Sequence, residues 1–242
     1  MSVHEIAYQA EESYFWYRAR LDILLSLSER FLKKDTPLII LNVGGGTGAT
    51  SKGFSRFGEV ITLDIAHEAL LLSRKRGLSK LVQGDGALLP FPSGSFDLVL
   101  LLDVIEHLDD DLAALTETKR VLKDEGIALI TVPAYRFLWG KMDDIGGHRR
   151  RYIKRKLEKR LEATGLTPLK LSYFNTLLFP LALIDRISEG LRKKGEEEES
   201  FLPELPPFLN KVFYHIFSFE RHLLPHLNLP FGLSILALAQ KG

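Results

Sequence analysis

Cysteine is absent from this sequence of 242 residues. Its absence excludes disulfide bonds, thiolate metal sites and a cysteine nucleophile. An excess of charge of one sign is missing too, because 32 Lys and Arg residues stand against 31 Asp and Glu residues. No overall basic field would attract a polyanion, so we expect no nucleic-acid partner.

Long apolar runs are also lacking. The longest, Leu177–Ile184, is far shorter than the ~20 residues that a membrane-spanning helix needs. Residues 1–9 are polar and include an acid, unlike a secretory signal. These features predict a cytoplasmic protein, and the length suffices for one α/β domain with an appendage.

The most informative segment is a glycine-rich turn, LNVGGGTG at residues 41–48, between an apolar run and a helix-compatible stretch. Glycines let a nucleotide approach the backbone, and the amides of a following helix offer unpaired donors. Asp64 comes twenty residues after Gly44, at the end of a second apolar run. A carboxylate at this spacing can bind both hydroxyls of an adenosine ribose, so the pattern predicts an adenosine-containing cofactor.

Two cofactors fit this turn when it is considered alone. The spacing Gly44-x-Gly46-x-x-Ala49 satisfies the nicotinamide dinucleotide fingerprint. The spacing Gly44-x-Gly46-x-Gly48 resembles motif I of the class I S-adenosylmethionine-dependent methyltransferases. The following residues favour the second cofactor and disfavour an NAD-dependent oxidoreductase. They read Leu-Pro-Phe at 89–91, Ser-Phe-Asp at 95–97 and Asp-Val-Ile-Glu-His at 103–107.

In this order, from residue 38 to residue 135, the motifs resemble the type 11 methyltransferase family. The resemblance implies a Rossmann-like methyltransferase fold: an α/β, doubly wound, mostly parallel seven-stranded sheet with helices on both faces. It implies transfer of a methyl group from S-adenosylmethionine to a small-molecule or lipid-linked acceptor. The alternative is a non-catalytic, cofactor-binding interaction subunit with the same fold.

The resemblance also implies where the cofactor would bind. Asp85, at the end of the third strand, would accept the adenine amino group. An N-terminal helix with aromatic and basic residues would cover the cofactor, although the same aromatic residues could simply dock that helix on the sheet. The complete predicted set of cofactor-binding residues is Trp16, Arg20, Asn42, Gly44, Gly46, Gly48, Asp64, Ile65, Asp85, Gly86 and Asp103.

One residue departs from the family pattern. Asn42 stands where the family usually has Asp or Glu, which helps to hold the methionine end of the cofactor. Asparagine keeps an acceptor oxygen but lacks the negative charge. We therefore expect either weaker cofactor binding or a replacement carboxylate, for which Asp103 is the candidate.

Strand and helix signals alternate at the spacing of βαβ units, which predicts parallel strands whose carboxyl ends hold the ligands. We divide the chain into an N-terminal helical cap (1–36, with one helical segment over 4–32), a cofactor-binding core (37–174), a helical insertion before the last strand (175–228) and that last strand (229–242). Within the insertion, the acidic run Glu196–Glu199 predicts an exposed linker.

The acceptor is expected beyond the fifth strand, where open α/β sheets leave room for a second ligand. His148 is the predicted general base, and the nearby basic residues suit an anionic acceptor. A metal site is the alternative, in which Asp103, Glu106 and His107 share a helical face and His148 completes the site, but we predict no metal. The predicted acceptor-binding residues are Tyr135, His148, Arg150 and Tyr152.

The insertion is rich in apolar residues at helical spacing. Three interpretations stay open: a helical hairpin that caps the sheet, a lid over an apolar acceptor, or a face that rests on a membrane. The last interpretation predicts a peripheral membrane contact beside the cytoplasmic location.

Overall fold

A computed structural model describes residues 2–32, 36–191 and 205–242, with side chains left undescribed at 185 and 187–191. Its sheet has seven strands in the order β3-β2-β1-β4-β5-β7-β6, and the prediction of a doubly wound sheet is confirmed. The pairs β5–β7 and β6–β7 are antiparallel and the others are parallel. The strands are β1 (Leu38–Val43), β2 (Gly58–Asp64), β3 (Leu81–Gln83), β4 (Phe96–Leu102), β5 (Leu122–Pro133), β6 (Leu166–Phe174) and β7 (Ser234–Lys241).

The helices cover both faces of this sheet. Alternate residues of β1 and β4 belong to two different apolar cores, one packed by α5 and α7 and the other by α2 and α9. This explains the continuous apolar runs of the central strands. The helices are α1 (Val3–Ser13), α2 (Phe15–Phe31), α3 (Ala49–Phe54), α4 (His67–Lys75), α5 (Asp111–Val121), α6 (Lys141–Ile145), α7 (Lys154–Ala163), α8 (Phe179–Leu191), α9 (Pro207–Ser218) and α10 (Glu220–Leu223).

The N-terminal segment differs from the single helix predicted over 4–32. The chain is extended at Tyr14, where α1 ends and α2 begins. Asn210 of α9 satisfies the backbone at this break: its Oδ1 accepts from the Phe15 N–H at 2.8 Å, and its Nδ2 donates to the Ser13 carbonyl at 2.9 Å. The prediction of one helix was wrong because a residue almost 200 positions away in the sequence stabilises the break.

The described parts of the insertion pack against the domain. The aromatic ring of Phe213 on α9 lies 5.4 Å from that of Phe15, and the hydroxyl of Tyr214 donates to Asp22 at 2.6 Å. These contacts join α9 to α2. The predicted linker at Glu196–Glu199 lies outside the described residues.

A buried carboxylate fixes the start of the insertion. Both oxygens of Glu220 accept backbone N–H bonds, from Asn175 at 2.7 Å, Thr176 at 2.6 Å and Leu177 at 2.9 Å. Glu220 is fully buried, so this turn depends on one side chain of α10. The turn leads directly into α8.

Among the helices in the described ranges, none has both the length and the apolar character that a bilayer-spanning helix needs.

Candidate functional site

The glycine turn lies where the sequence predicted it, between β1 and α3. Gly44 has a φ of 62°, and a Cβ added there would lie 2.7 Å from Cγ2 of Val104. Gly48 has a φ of 90° and caps the N-terminus of α3. The turn therefore requires glycine at both positions for steric reasons, and it leaves room for a ligand against the backbone.

Asp64 at the end of β2 is joined to this turn. Its Oδ2 accepts from the Gly46 N–H at 2.8 Å, and its Oδ1 accepts from the Ala66 N–H at 2.8 Å. Each carboxylate oxygen can accept a further hydrogen bond. The carboxylate thus both braces the turn and keeps acceptor capacity for a ligand.

Two exposed apolar side chains lie in the loops that follow β2 and β3. Ile65 is 71% exposed after β2, and Leu88 is 75% exposed in the loop after β3. Asp85 is exposed in the same loop, and its Oδ1 accepts from the Ala87 N–H at 2.8 Å. Two apolar groups beside an acceptor carboxylate suit a flat, partly polar ring.

A cavity of about 880 Å³ extends from the glycine turn towards the insertion. Its polar wall contains Asn42, Gly44, Gly46, Arg20 and Asp103, and its apolar wall contains Leu178, Leu181, Ala182 and Phe213. The volume is in the usual range for a site that holds a cofactor and a small ligand.

Arg20 and Asp103 form an ion pair in the polar wall. Nη2 of Arg20 lies 2.7 Å from Oδ2 of Asp103 and donates to the Thr131 hydroxyl at 2.8 Å. The Arg20 guanidinium lies 5.1 Å from the ring of Trp16. The charge of Asp103 is therefore already paired, which weakens its expected role as the replacement for a carboxylate at Asn42.

Glu11 of α1 is a cavity residue that the sequence did not reveal. Its carboxylate accepts from the Thr47 hydroxyl in the glycine turn and lies 3.0 Å from Nη2 of Arg76. Burial raises the pKa of Glu11, although the Thr47 bond and the charge of Arg76 oppose that rise. The helical pattern of α1 gave no signal for this residue, because its partners lie just after the end of α4 and in the glycine turn.

His148 also lines the cavity. Its Nδ1 lies 2.7 Å from Oδ1 of Asp143, a fully buried carboxylate that also binds Arg151 at 2.7 and 2.9 Å. Burial alone would raise the pKa of Asp143, but the bonds from His148 and Arg151 lower it well below its ordinary value. The ionised carboxylate orients the imidazole and leaves Nε2 available.

Glu106 and His107 lie beside His148. Glu106 is fully buried and, among the described residues, no group forms a hydrogen bond with either of its carboxylate oxygens. Burial and then the charge of Asp103 raise the pKa of Glu106 well above its ordinary value. The rings of His107 and His148 are 4.7 Å apart, and burial lowers the pKa of His107.

Three predicted acceptor residues are not among the described residues that line the cavity. Tyr152 is fully buried and donates to Asp111 at 2.8 Å. Arg150 donates to the carbonyls of Leu108 and Asp109 at 2.6 and 2.9 Å. Tyr135 stacks on Tyr173 with ring centres 5.1 Å apart. The sequence could not separate these structural roles from an acceptor role, because all three residues follow β5, where the acceptor is expected.

We expect Tyr152→Phe to lower the free energy of unfolding by about 1–2 kcal/mol, because it removes one of the donors of buried Asp111. Urea denaturation measures this loss. The Michaelis constant for the acceptor should stay unchanged. A large rise in that constant at unchanged stability would instead restore Tyr152 to the acceptor site.

Comparison with protein families identifies the domain that contains the glycine turn. The sequence model of the type 11 family, described as a methyltransferase domain, matches residues 41–130. Residues 41–130 of this chain are a methyltransferase domain. The matched residues include the glycine turn, Asp64, Asp85 and Asp103, so the family resemblance seen in the sequence is confirmed.

The methyltransferase domain also has relatives with established names. It is 34% identical over 102 residues to the ubiquinone/menaquinone biosynthesis C-methyltransferase UbiE of Hahella chejuensis, covering 38% of this chain and 41% of that protein. It is 29% identical over 130 residues to the chloroplastic 2-methyl-6-phytyl-1,4-hydroquinone methyltransferase 2 of Oryza sativa subsp. japonica, covering 51% of this chain and 36% of that protein. The matches thus span less than half the length of these relatives.

A solved structure resembles nearly the whole chain in its fold. The SAM-dependent methyltransferase from Archaeoglobus fulgidus superimposes with a TM-score of 0.61 at 18% identity, covering 96% of this chain and 97% of the other. At this identity the two proteins share the fold, and the likeness carries no information on the acceptor.

Proposed function

We propose that the chain transfers a methyl group from S-adenosylmethionine to a small, largely apolar acceptor. The observation that carries the proposal is one continuous cavity that joins the glycine turn to an apolar wall. A transferase must hold a polar nucleotide cofactor and its acceptor side by side, and this cavity offers both environments.

The cofactor would lie along the polar groups of the site. Asp64 would accept the ribose hydroxyls, and the adenine would lie between Ile65 and Leu88 with Asp85 and Gly86 at its edge. The methionine end would extend past Gly44, Gly46 and Asn42 towards Trp16 and Arg20. Arg20 fits the methionine carboxylate, because its buried Nε has no hydrogen-bond partner among the described residues.

Methyl transfer mainly requires that the acceptor atom and the methyl group are correctly aligned. When bound, the cofactor supplies a methyl group that its sulfonium already activates. The cavity must hold the acceptor atom about 3 Å from that methyl group and in line with it. His148 lies on the acceptor side, where its oriented imidazole can take a proton if the nucleophile carries one.

The acceptor class is proposed from the apolar wall and from the relatives. The names of both relatives refer to quinone or hydroquinone chemistry, and an apolar wall of Leu178, Leu181, Ala182 and Phe213 suits a lipid-linked ring. The basic residues at 149–151 support an anionic acceptor less than expected, because two of them already pair with carboxylates of the domain. Arg149 pairs with Asp109 at 2.5 Å, and Arg151 pairs with Asp143.

Contact with a membrane surface would let such an acceptor reach the cavity. Exposed apolar side chains on α8 and α9 support this part of the proposal: Leu181 is 50% exposed, Ile184 64% and Phe208 73%. Amphipathic helices with such faces bind at lipid interfaces.

We expect His148→Ala to lower kcat by about 100-fold, within the range for loss of an acid–base group, while the Kd for the cofactor changes less than twofold. Steady-state kinetics and calorimetry measure the two effects. His222→Ala, an exposed histidine of α10, is the control and should behave as wild type. An unchanged kcat would remove His148 from the acceptor side.

Labelled methyl transfer tests the function itself. The purified chain is incubated with radiolabelled S-adenosylmethionine and a cell extract, which is then separated into organic and aqueous phases. The proposal predicts label in the organic phase. Label in the aqueous phase alone would reject the apolar acceptor, and no transfer to either phase would favour the non-catalytic subunit.

A further inference from the structure

Three side chains converge at the cavity without bonding one another, and two of them, Glu106 and His148, line it. Glu106, His107 and His148 each offer one ligand atom, and these atoms all lie within 4.8 Å of one another. Glu106 is fully buried, yet no described residue hydrogen-bonds its carboxylate. A carboxylate removed from water without a partner is costly. A cation between these groups would remove that cost.

One imidazole is also held from outside the cluster. Nδ1 of His148 lies 2.7 Å from Oδ1 of Asp143. Metal-binding histidines characteristically use one nitrogen for the ion and the other for a carboxylate or a backbone carbonyl. His148 therefore has the supporting contact of a metal ligand.

Asp103 does not belong to this cluster, although the helical spacing of the sequence grouped it with Glu106 and His107. Its carboxylate is engaged by Arg20 and by the Thr131 hydroxyl, at 2.7 and 3.0 Å. Of the four residues that the sequence grouped, Glu106, His107 and His148 therefore remain as the ligand set.

We infer that Glu106, His107 and His148 bind one divalent transition-metal ion that faces the cavity. Two imidazoles and one carboxylate suit Zn²⁺ or Co²⁺ much better than Mg²⁺, which prefers oxygen ligands. Three protein ligands leave a coordination position open, as in catalytic rather than structural zinc sites. This inference replaces the sequence-based expectation that the chain binds no metal.

The role of the ion, unlike its binding, rests on the proposed function. A hydroxyl oxygen of the acceptor would occupy the open position. Its O–H proton would pass to solvent water, and the electron pair would stay on the oxygen for attack on the methyl carbon. The bond between the methyl carbon and the sulfonium sulfur would break as the new bond forms, its electron pair would stay on sulfur, and S-adenosylhomocysteine would leave. His148 would then act as a metal ligand, and it would be the free base only in the metal-free protein.

Calorimetric titration of the EDTA-treated full chain with ZnCl₂ tests the site. We expect one Zn²⁺ per chain, and MgCl₂ should give no comparable binding. Glu106→Gln and His107→Ala remove ligands and should each weaken Zn²⁺ binding at least about 100-fold. Asp143→Asn removes only a supporting contact and should weaken it about 10- to 100-fold.

Matched controls separate the site from general effects. Asp144→Asn changes the exposed neighbour of Asp143, and His226→Ala removes an exposed histidine. Both should bind Zn²⁺ as wild type does. Binding of S-adenosylhomocysteine by each variant would verify that the domain is folded.

The inference is overturned if the wild type binds no Zn²⁺, or if Glu106→Gln and His107→Ala bind it unchanged. Either result would leave the proposed methyl transfer standing, provided that S-adenosylhomocysteine still binds. Conversely, Zn²⁺ binding at these residues in a chain that binds no S-adenosylhomocysteine would support the metal site and reject the proposed function.

Discussion

Asp64→Ala should weaken the binding of S-adenosylhomocysteine by about 2–4 kcal/mol, which is a factor of about 30 to 700 in Kd. The variant would lose the charge-assisted hydrogen bonds to the ribose. It would also lose the acceptors of the Gly46 and Ala66 N–H groups, which brace the glycine turn. Calorimetry at fixed ionic strength measures the change.

Asp97→Ala is the matched control for Asp64→Ala. Asp97 also accepts a backbone N–H bond, from Ile39 at 2.8 Å, and it binds Lys123 at 2.9 Å. It lies at the start of β4, however, away from the carboxyl ends of the strands. We expect Asp97→Ala to lower stability without changing Kd. Equal Kd values for Asp64→Ala and wild type would show that the ribose binds elsewhere.

Glu220→Ala should lower the free energy of unfolding by about 3–5 kcal/mol, because three backbone N–H groups lose their acceptor. For a chain of this length, the loss corresponds to a fall in Tm of about 10 °C. The turn that Glu220 holds carries Asn175 and Leu178 into the cavity wall. The Michaelis constant for the acceptor should therefore rise as well.

Two variants check this interpretation of Glu220. Glu220→Gln keeps one acceptor oxygen and should lose only part of the stability. His222→Ala changes an exposed residue of the same helix and should melt as wild type does. A Glu220→Ala variant with the Tm of wild type would mean that the turn before α8 does not depend on this carboxylate.

The sequence predicted the parts of the molecule that are determined locally. The strands β1 and β2, the glycine turn and Asp64 follow from apolar runs, glycine spacing and chain order, and the structure places them as predicted. Parallel strands bring their carboxyl ends to one edge. Of the strand-end residues predicted to bind the cofactor, Asn42 and Asp103 line the cavity, and the ligand contacts of Asp64 and Asp85 stay predictions.

The remaining parts depend on contacts between distant segments. Asn210 breaks the N-terminal helix, Glu11 reaches the glycine turn from α1, and Asp143 orients His148. Periodicity reports which face of a helix is apolar but not which partner a polar side chain meets. For the same reason Arg150 and Tyr152 were assigned to the acceptor although both bind groups within the domain.

Titration of the purified wild type with S-adenosylhomocysteine and, separately, with NAD⁺ tests whether the protein takes S-adenosylmethionine as its cofactor. We expect one binding site for S-adenosylhomocysteine, lost or strongly weakened in Asp64→Ala, and no measurable heat with NAD⁺. Binding of NAD⁺ without binding of S-adenosylhomocysteine would show that the cofactor is a nicotinamide dinucleotide instead.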